Sequence, residues 1–169
     1  MSDTDKWKKE KDFVAYLEKM VDNENLGALA ALRRGLAGPP GMAFEMYKYI
    51  VPWVGDSPRW EAKVYYLVSA LLAWHQIPWH STDDLKFSNL GTSLHELKDA
   101  SNAESLEKRF IALLNCHRDD LHVQLKQLFG LLVAKKIVVN YVQLIKDLKN
   151  WDNESHYVQQ NWANEFWKE

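Results

Sequence analysis

Four leucines constrain the fold of this chain more than any other feature. Leu121, Leu125, Leu128 and Leu132 recur at i, i+4, i+7 and i+11 between Arg118 and Lys135, the spacing of one face of an α-helix. Arg118, His122 and Lys126 recur every four residues in the same stretch. At 100° per residue this basic row lies roughly 90° around the helix from the leucines, so the leucines can enter a core while the row stays in water. Arg109, in the preceding apolar segment of Leu106, Phe110, Ile111, Leu113 and Leu114, and Lys135-Lys136 at the far end extend the strip in both directions. Two readings follow: an ordinary solvated face beside a buried stripe, or positive charge presented on a rigid support.

At 169 residues the chain is expected to form one domain spanning 1–169, or two helical lobes divided near residues 76 to 88. It is long enough to bury roughly two thirds of its unfolded surface. With 47% hydrophobic and 12% aromatic residues and few Gly and Pro, it reads as globular and not disordered. The one cysteine, Cys116, excludes an internal disulfide framework and a structural zinc site built from several cysteines. The first twelve residues, MSDTDKWKKEKD, are too charged for the apolar core of a signal peptide, and no run approaches the ~20 apolar residues of a membrane span. A reducing, cytoplasmic setting is the expectation.

The net charge of −2 argues against a strongly basic protein, but it is unevenly spread. Residues 25–75 carry +2 and residues 105–150 carry +4, whereas 1–24, 76–104 and 151–169 carry −2, −3 and −3. A polyanion feels the local field within a Debye length of ~10 Å, so a basic surface on a near-neutral protein is physically reasonable.

In chain order the pattern is helical throughout. Asp5 to Val21 places Trp7, Val14, Leu17 and Val21 along one side. Asn25 is the expected cap of the next helix and Gly35 its expected stop, after Arg33-Arg34. The Gly/Pro cluster from Leu36 to Gly41 turns the chain. Met42 to Val51 reads as a short helix ended by Pro52, and Ser57-Pro58 as the start of a helix running to about His75, the most apolar segment and the expected central helix. Arg59 and Lys63 on its first two turns are candidates for the basic surface; a salt bridge with Glu61 or a solvated helix start explains them as well. Residues 75 to 89 read as a loop.

A short helix from about Asn89 to Lys98 and one ending near Asn115 precede the long helix, from about His117 to Ala134. Ile137 to Val139 cross to a helix capped by Asn140, with Val142, Ile145 and Leu148 inside, and a last helix covers about Asn153 to Trp167. No alternating strand pattern persists. The predicted class is all-α, a bundle of eight or nine helices.

Catalytic constellations are missing from the pattern. The six histidines never adopt the two-ligand helical spacing with a carboxylate seen in HExxH, so no metal or cofactor is expected. Cys116-His117 are adjacent, which points them in different directions on a helix. Asp119-Asp120 fit the acidic first turn of a helix. GPPG has prolines where a phosphate loop needs free N–H groups. Of the eight tryptophans, Trp60, Trp74 and Trp162 lie on apolar stripes and are expected in the core. Trp53 and Trp79 lie in loop-like segments, where stacking on nucleobases is the alternative to packing.

The segments ALRRGLAGPPG, SPRWEAKVYYLVSALLAWH, LGTSLHEL, the run from Glu107 to Asp152 and VQQNWANEFW occur in an order and spacing that resemble the CasB family, the small subunit of the type I-E CRISPR effector complex, Cascade. The most specific part is RFIALL, three further positions, then Arg118-Asp119-Asp120-Leu121, and the terminal VQQNWANEF. The resemblance implies a non-enzymatic all-helical subunit, present in two copies, that binds nucleic acid without sequence preference and helps hold opened target DNA while a guide RNA reads sequence. Its partners would be other subunits of the complex, a second copy of itself, CRISPR RNA and target DNA.

Carried over to this chain, the family's basic positions fall on Arg34, with Arg33 adjacent, and on Arg59, Arg109, Arg118 and Lys126. Similar chains more often have arginine at the last position; lysine keeps the charge but loses the fork that grips phosphate with two bonds. A subunit serving any guide should touch phosphates and avoid base edges. The alternative is a helical adaptor whose basic strip meets an acidic protein partner.

Overall fold

The computed structural model describes residues 6–77 and 88–169. Among them are nine α-helices and no strand: α1 (Lys8–Asp22), α2 (Leu26–Arg33), α3 (Tyr47–Val54), α4 (Arg59–His75), α5 (Leu90–His95), α6 (Ala103–Asn115), α7 (Leu121–Lys135), α8 (Tyr141–Lys149) and α9 (Tyr157–Phe166). Short 3-10 turns cover Arg34–Ala37, Phe44–Met46 and Arg118–Asp120. The all-α class is therefore correct. The division expected near residues 76 to 88 falls largely outside the described residues.

α4 is the axis of the bundle. Every residue from Val64 to Ala73 is buried, because α2, α3, α7 and α8 all pack against it. The leucine stripe enters the same core: Leu125, Leu128 and Leu132 are fully buried. Asn25, Asn89 and Asn140 cap α2, α5 and α8, each accepting from a backbone N–H three residues on. That pairing satisfies one orphan donor per helix start. α5 crosses α9 at Gly91, where a Cβ would lie 2.1 Å from the Trp162 carbonyl oxygen. Only glycine permits that approach.

Buried polar groups join the helices. Lys149, at the end of α8, donates to Glu10 of α1 and to the Tyr65 hydroxyl of α4 (2.7 Å), and lies 3.1 Å from Glu61. His75 Nε2–H donates to the Ile137 carbonyl (2.6 Å) while Nδ1 accepts from the Tyr141 hydroxyl (2.5 Å), a pairing that needs the neutral ring. Burial lowers the His75 pKa in agreement. Asp147 accepts from Trp162 Nε1 (2.7 Å) and Gln143 Nε2 (2.8 Å).

Several boundaries differ from expectation. α2 ends at Arg33, and Gly35 sits inside the 3-10 turn, where a Cβ would meet Met46 Sδ at 2.5 Å; tight packing, not helix termination, explains that glycine. Met42 stands outside any helix and is 65% exposed. Pro52 does not end α3, which continues to Val54. The chain forgoes the bond that proline cannot donate, and in return buries Ile50 and Val54. Pro58 occupies the cap position of α4 and Arg59 begins it.

Candidate nucleic-acid interface

The first turns of α4, the start of α7 and the Gly/Pro tract converge on a cavity of about 290 Å³. Gly41 makes this possible. Its φ of +88° is a left-handed conformation open to glycine, and the Tyr47 hydroxyl donates to its carbonyl at 2.7 Å. The tract thereby folds back so that Pro39 and Pro40 form one wall. Trp60, Lys63, Arg118 and His122 stand around it, and Val64, Leu67, Leu121 and Leu148 complete its apolar lining.

Arg118 is the most constrained of the predicted basic residues. Its row with His122 and Lys126 does not run along one helix, because Arg118 lies in the 3-10 turn before α7. The His117 ring accepts from the Asp119 N–H at 3.1 Å and shapes that turn. Arg118 consequently folds inward. Its side chain is only 20% exposed, with Nε 3.3 Å from Asp152 Oδ2. That N–H is not aligned to donate and has no hydrogen-bond partner, so the attraction is coulombic. Nη2 donates to the Lys149 carbonyl at 3.3 Å, placing a cation at the negative end of α8. The guanidinium carbon lies 4.5 Å from the Trp60 ring centroid. The expectation that Arg118 stays in water is thus corrected.

Trp60 is corrected too. It shares the apolar stripe of Val64 and Leu67, but the core ends at the cavity, and the indole remains 42% exposed. Trp162 is fully buried as expected. Trp53 lies within α3 and packs against Phe13 and Tyr16 with centroids 5.4 and 5.3 Å away, so it is no loop residue. Trp79 lies outside the described residues.

The remaining basic residues divide by position. Lys63 and Arg59 are exposed on the first two turns of α4 and have no ion-pair partner among the described residues; Glu61 pairs with Lys149 instead. Lys126 is exposed and donates to the Leu36 carbonyl at 3.0 Å, joining α7 to the 3-10 turn that follows Arg33. Arg34 pairs with Glu45 at 3.4 Å, both well exposed, which leaves most of its charge open to a competing anion. Arg33 is exposed. Arg109 is exposed on α6 and takes no part in lining the cavity.

Chemistry elsewhere is unpromising for catalysis. Burial pushes the Cys116 thiol up to about 11, with Asp120 adding to the shift. His117 turns to Asp119 and away from any dyad with it. Among the described residues no group of three His, Cys, Asp or Glu is placed to hold a metal ion, and no helix is long and apolar enough to cross a membrane.

These features define an all-helical protein that surrounds an apolar, tryptophan-sided cavity with cationic side chains. A family model described as CRISPR-associated protein Cse2 matches residues 28–167, and the chain belongs to that family. It is 34% identical over 146 residues to a CRISPR-associated protein Cse2 of Thermus thermophilus, covering 83% of this chain and 78% of that protein. Its fold is similar to crystalline CasB from Thermus thermophilus, with a TM-score of 0.76, 29% identity and full coverage of both chains. It is also similar to a chain of a CRISPR RNA-guided surveillance complex, with a TM-score of 0.76 and 25% identity over 95% of this chain and 92% of that one. The CasB resemblance in the sequence is thereby borne out.

Proposed function

We propose that this protein is a non-enzymatic small subunit of a type I-E CRISPR RNA-guided surveillance complex. It binds nucleic acid through the phosphate backbone without sequence preference and stabilises opened target DNA during antiviral defence in the cytoplasm. Its partners are the other subunits, a second copy of itself, CRISPR RNA and target DNA. The observation that carries this reading is the placement of exposed, unneutralised cations on a protein of net charge −2: Lys63 at the cavity, Arg59 one turn before it on α4, and Lys126 and Arg33 along the adjoining turn.

Such groups attract phosphates of any sequence, because phosphate contacts position a strand without reading its bases. Arg109, on another helix, would extend the contact to a separate stretch of backbone. Helices joined by Lys149 and Arg118 hold these charges on a rigid frame, which suits a scaffold. A mobility-shift titration with unrelated DNA sequences at two salt concentrations tests the reading, together with co-purification of CRISPR RNA. Affinity that falls with salt and ignores sequence is expected. Indifference to both DNA and salt would favour the protein adaptor.

A further inference from the structure

The cavity beside Trp60 has more apolar wall than phosphate binding needs. At about 290 Å³ it lies near the lower end of small-ligand pockets, ~300–1,000 Å³, room for one ring system. Its aliphatic lining, Val64, Leu67, Leu121 and Leu148, is buried. At its edge the Asp119 carboxylate stands with Lys63 and His122. A phosphate driven inside would exchange water for aliphatic walls beside the Asp119 carboxylate, and the Arg118 guanidinium that also lines the cavity is already engaged by Asp152, the Lys149 carbonyl and the Trp60 ring, so entry is unfavourable. The inserted part of an occupant is therefore uncharged and turns an apolar face to these walls, while Lys63 and His122 at the rim are placed to hold an anionic part outside. Trp60 offers the inserted part an aromatic surface, and Arg118 braces the indole from 4.5 Å.

We infer that this cavity receives one unstacked nucleobase of a single strand, seated against Trp60 and the Pro39-Pro40 wall, with flanking phosphates at Lys63 and His122. The inference rests on the nucleic-acid reading above and adds a base contact to it. An indole accepts every base, since each has a π-face, so the contact is compatible with indifference to sequence. Duplex DNA keeps its bases stacked inside, whereas an opened strand has bases to offer. The pocket thus distinguishes opened from paired DNA.

The test compares the full chain's affinity for oligothymidylate and for an abasic sugar-phosphate strand of equal length and charge, by fluorescence anisotropy. The base-bearing strand should bind about fivefold to a hundredfold more tightly per stacked base. Trp60→Ala, and Val64→Phe, which fills the cavity while leaving the indole, should each bring that ratio toward one, with helical circular dichroism confirming that each variant folds. Equal affinity of the unaltered protein for both strands overturns the pocket and leaves the phosphate reading standing. Binding to neither strand overturns both. A ratio that persists in both variants places stacking elsewhere and removes this cavity. A ratio of one combined with failure of the variants to assemble with the other subunits gives the cavity to a protein side chain and overturns the inference.

Discussion

The Arg118 guanidinium lies 4.5 Å over the Trp60 ring and also donates to the Lys149 carbonyl at the end of α8. One side chain therefore joins the starts of α4 and α7 to the end of α8. Arg118→Ala should destabilise the protein by about 1.5–3 kcal/mol, the range for hydrogen bonds made by a charged group. Arg109→Ala, at an exposed position, should change stability by less than about 0.5 kcal/mol. Urea denaturation of both variants checks the contrast, and equal losses would show that Arg118 has no structural part.

Leu125 and Leu128 are fully buried. Replacing either with Ala should cost about 2–5 kcal/mol through lost burial and a residual cavity. A loss under about 0.5 kcal/mol in denaturant titration would contradict the placement of the leucine stripe in the core.

Gly91→Ala should separate α5 from α9, because the added methyl would meet the Trp162 carbonyl carbon and oxygen at 2.8 and 2.1 Å. Backbone atoms cannot rotate away as a side chain can. A loss of about 1–3 kcal/mol or more is expected, measurable as a lower melting temperature, and an unchanged value would contradict the close crossing.

Glu10 links stability to pH. Burial alone would raise its pKa, but hydrogen bonding and attraction from Lys149, aided by Tyr65, outweigh burial and hold it below the ordinary 4.5. The folded protein thus releases this proton more readily than the unfolded chain. The stabilisation is fully present above about pH 4.5 and is lost as pH falls through the lower folded value. Glu10→Gln should be less stable at neutral pH and should lack this part of the acid-induced loss. Parallel stability curves for the two proteins between about pH 7 and 3 would contradict the linkage.

The helices and their core were legible in the sequence wherever an apolar period was sustained, as at Leu125, Leu128 and Leu132 or at Val158, Trp162 and Phe166. The asparagine caps Asn25 and Asn140 marked two of the starts correctly. The turn at Arg118 was not legible, because the segment HRDD contains no helix breaker and the bond from the Asp119 N–H to His117 has no periodic signature. Arg118's partners Trp60 and Asp152 come from distant segments, so local spacing gave no sign that the residue turns inward. Trp60 was misplaced for a related reason. Periodicity shows which face a residue occupies, but it does not show that the core gives way to a cavity at the first turns of the helix. The prolines of GPPG announced a turn, and only the folded chain makes that turn a wall.

The most direct measurement is the salt dependence of binding after Arg59→Ala and Lys63→Ala are combined. Both side chains are exposed on the first two turns of α4, Lys63 at the cavity, so their loss should leave the melting temperature nearly unchanged. Affinity should fall about equally for unrelated sequences. The slope of log K against log salt should shrink by roughly 0.7 per lost contact on a single strand and roughly 0.9 on a duplex, as fewer counterions are released. An unchanged slope in a well-folded double variant would contradict phosphate binding at this surface.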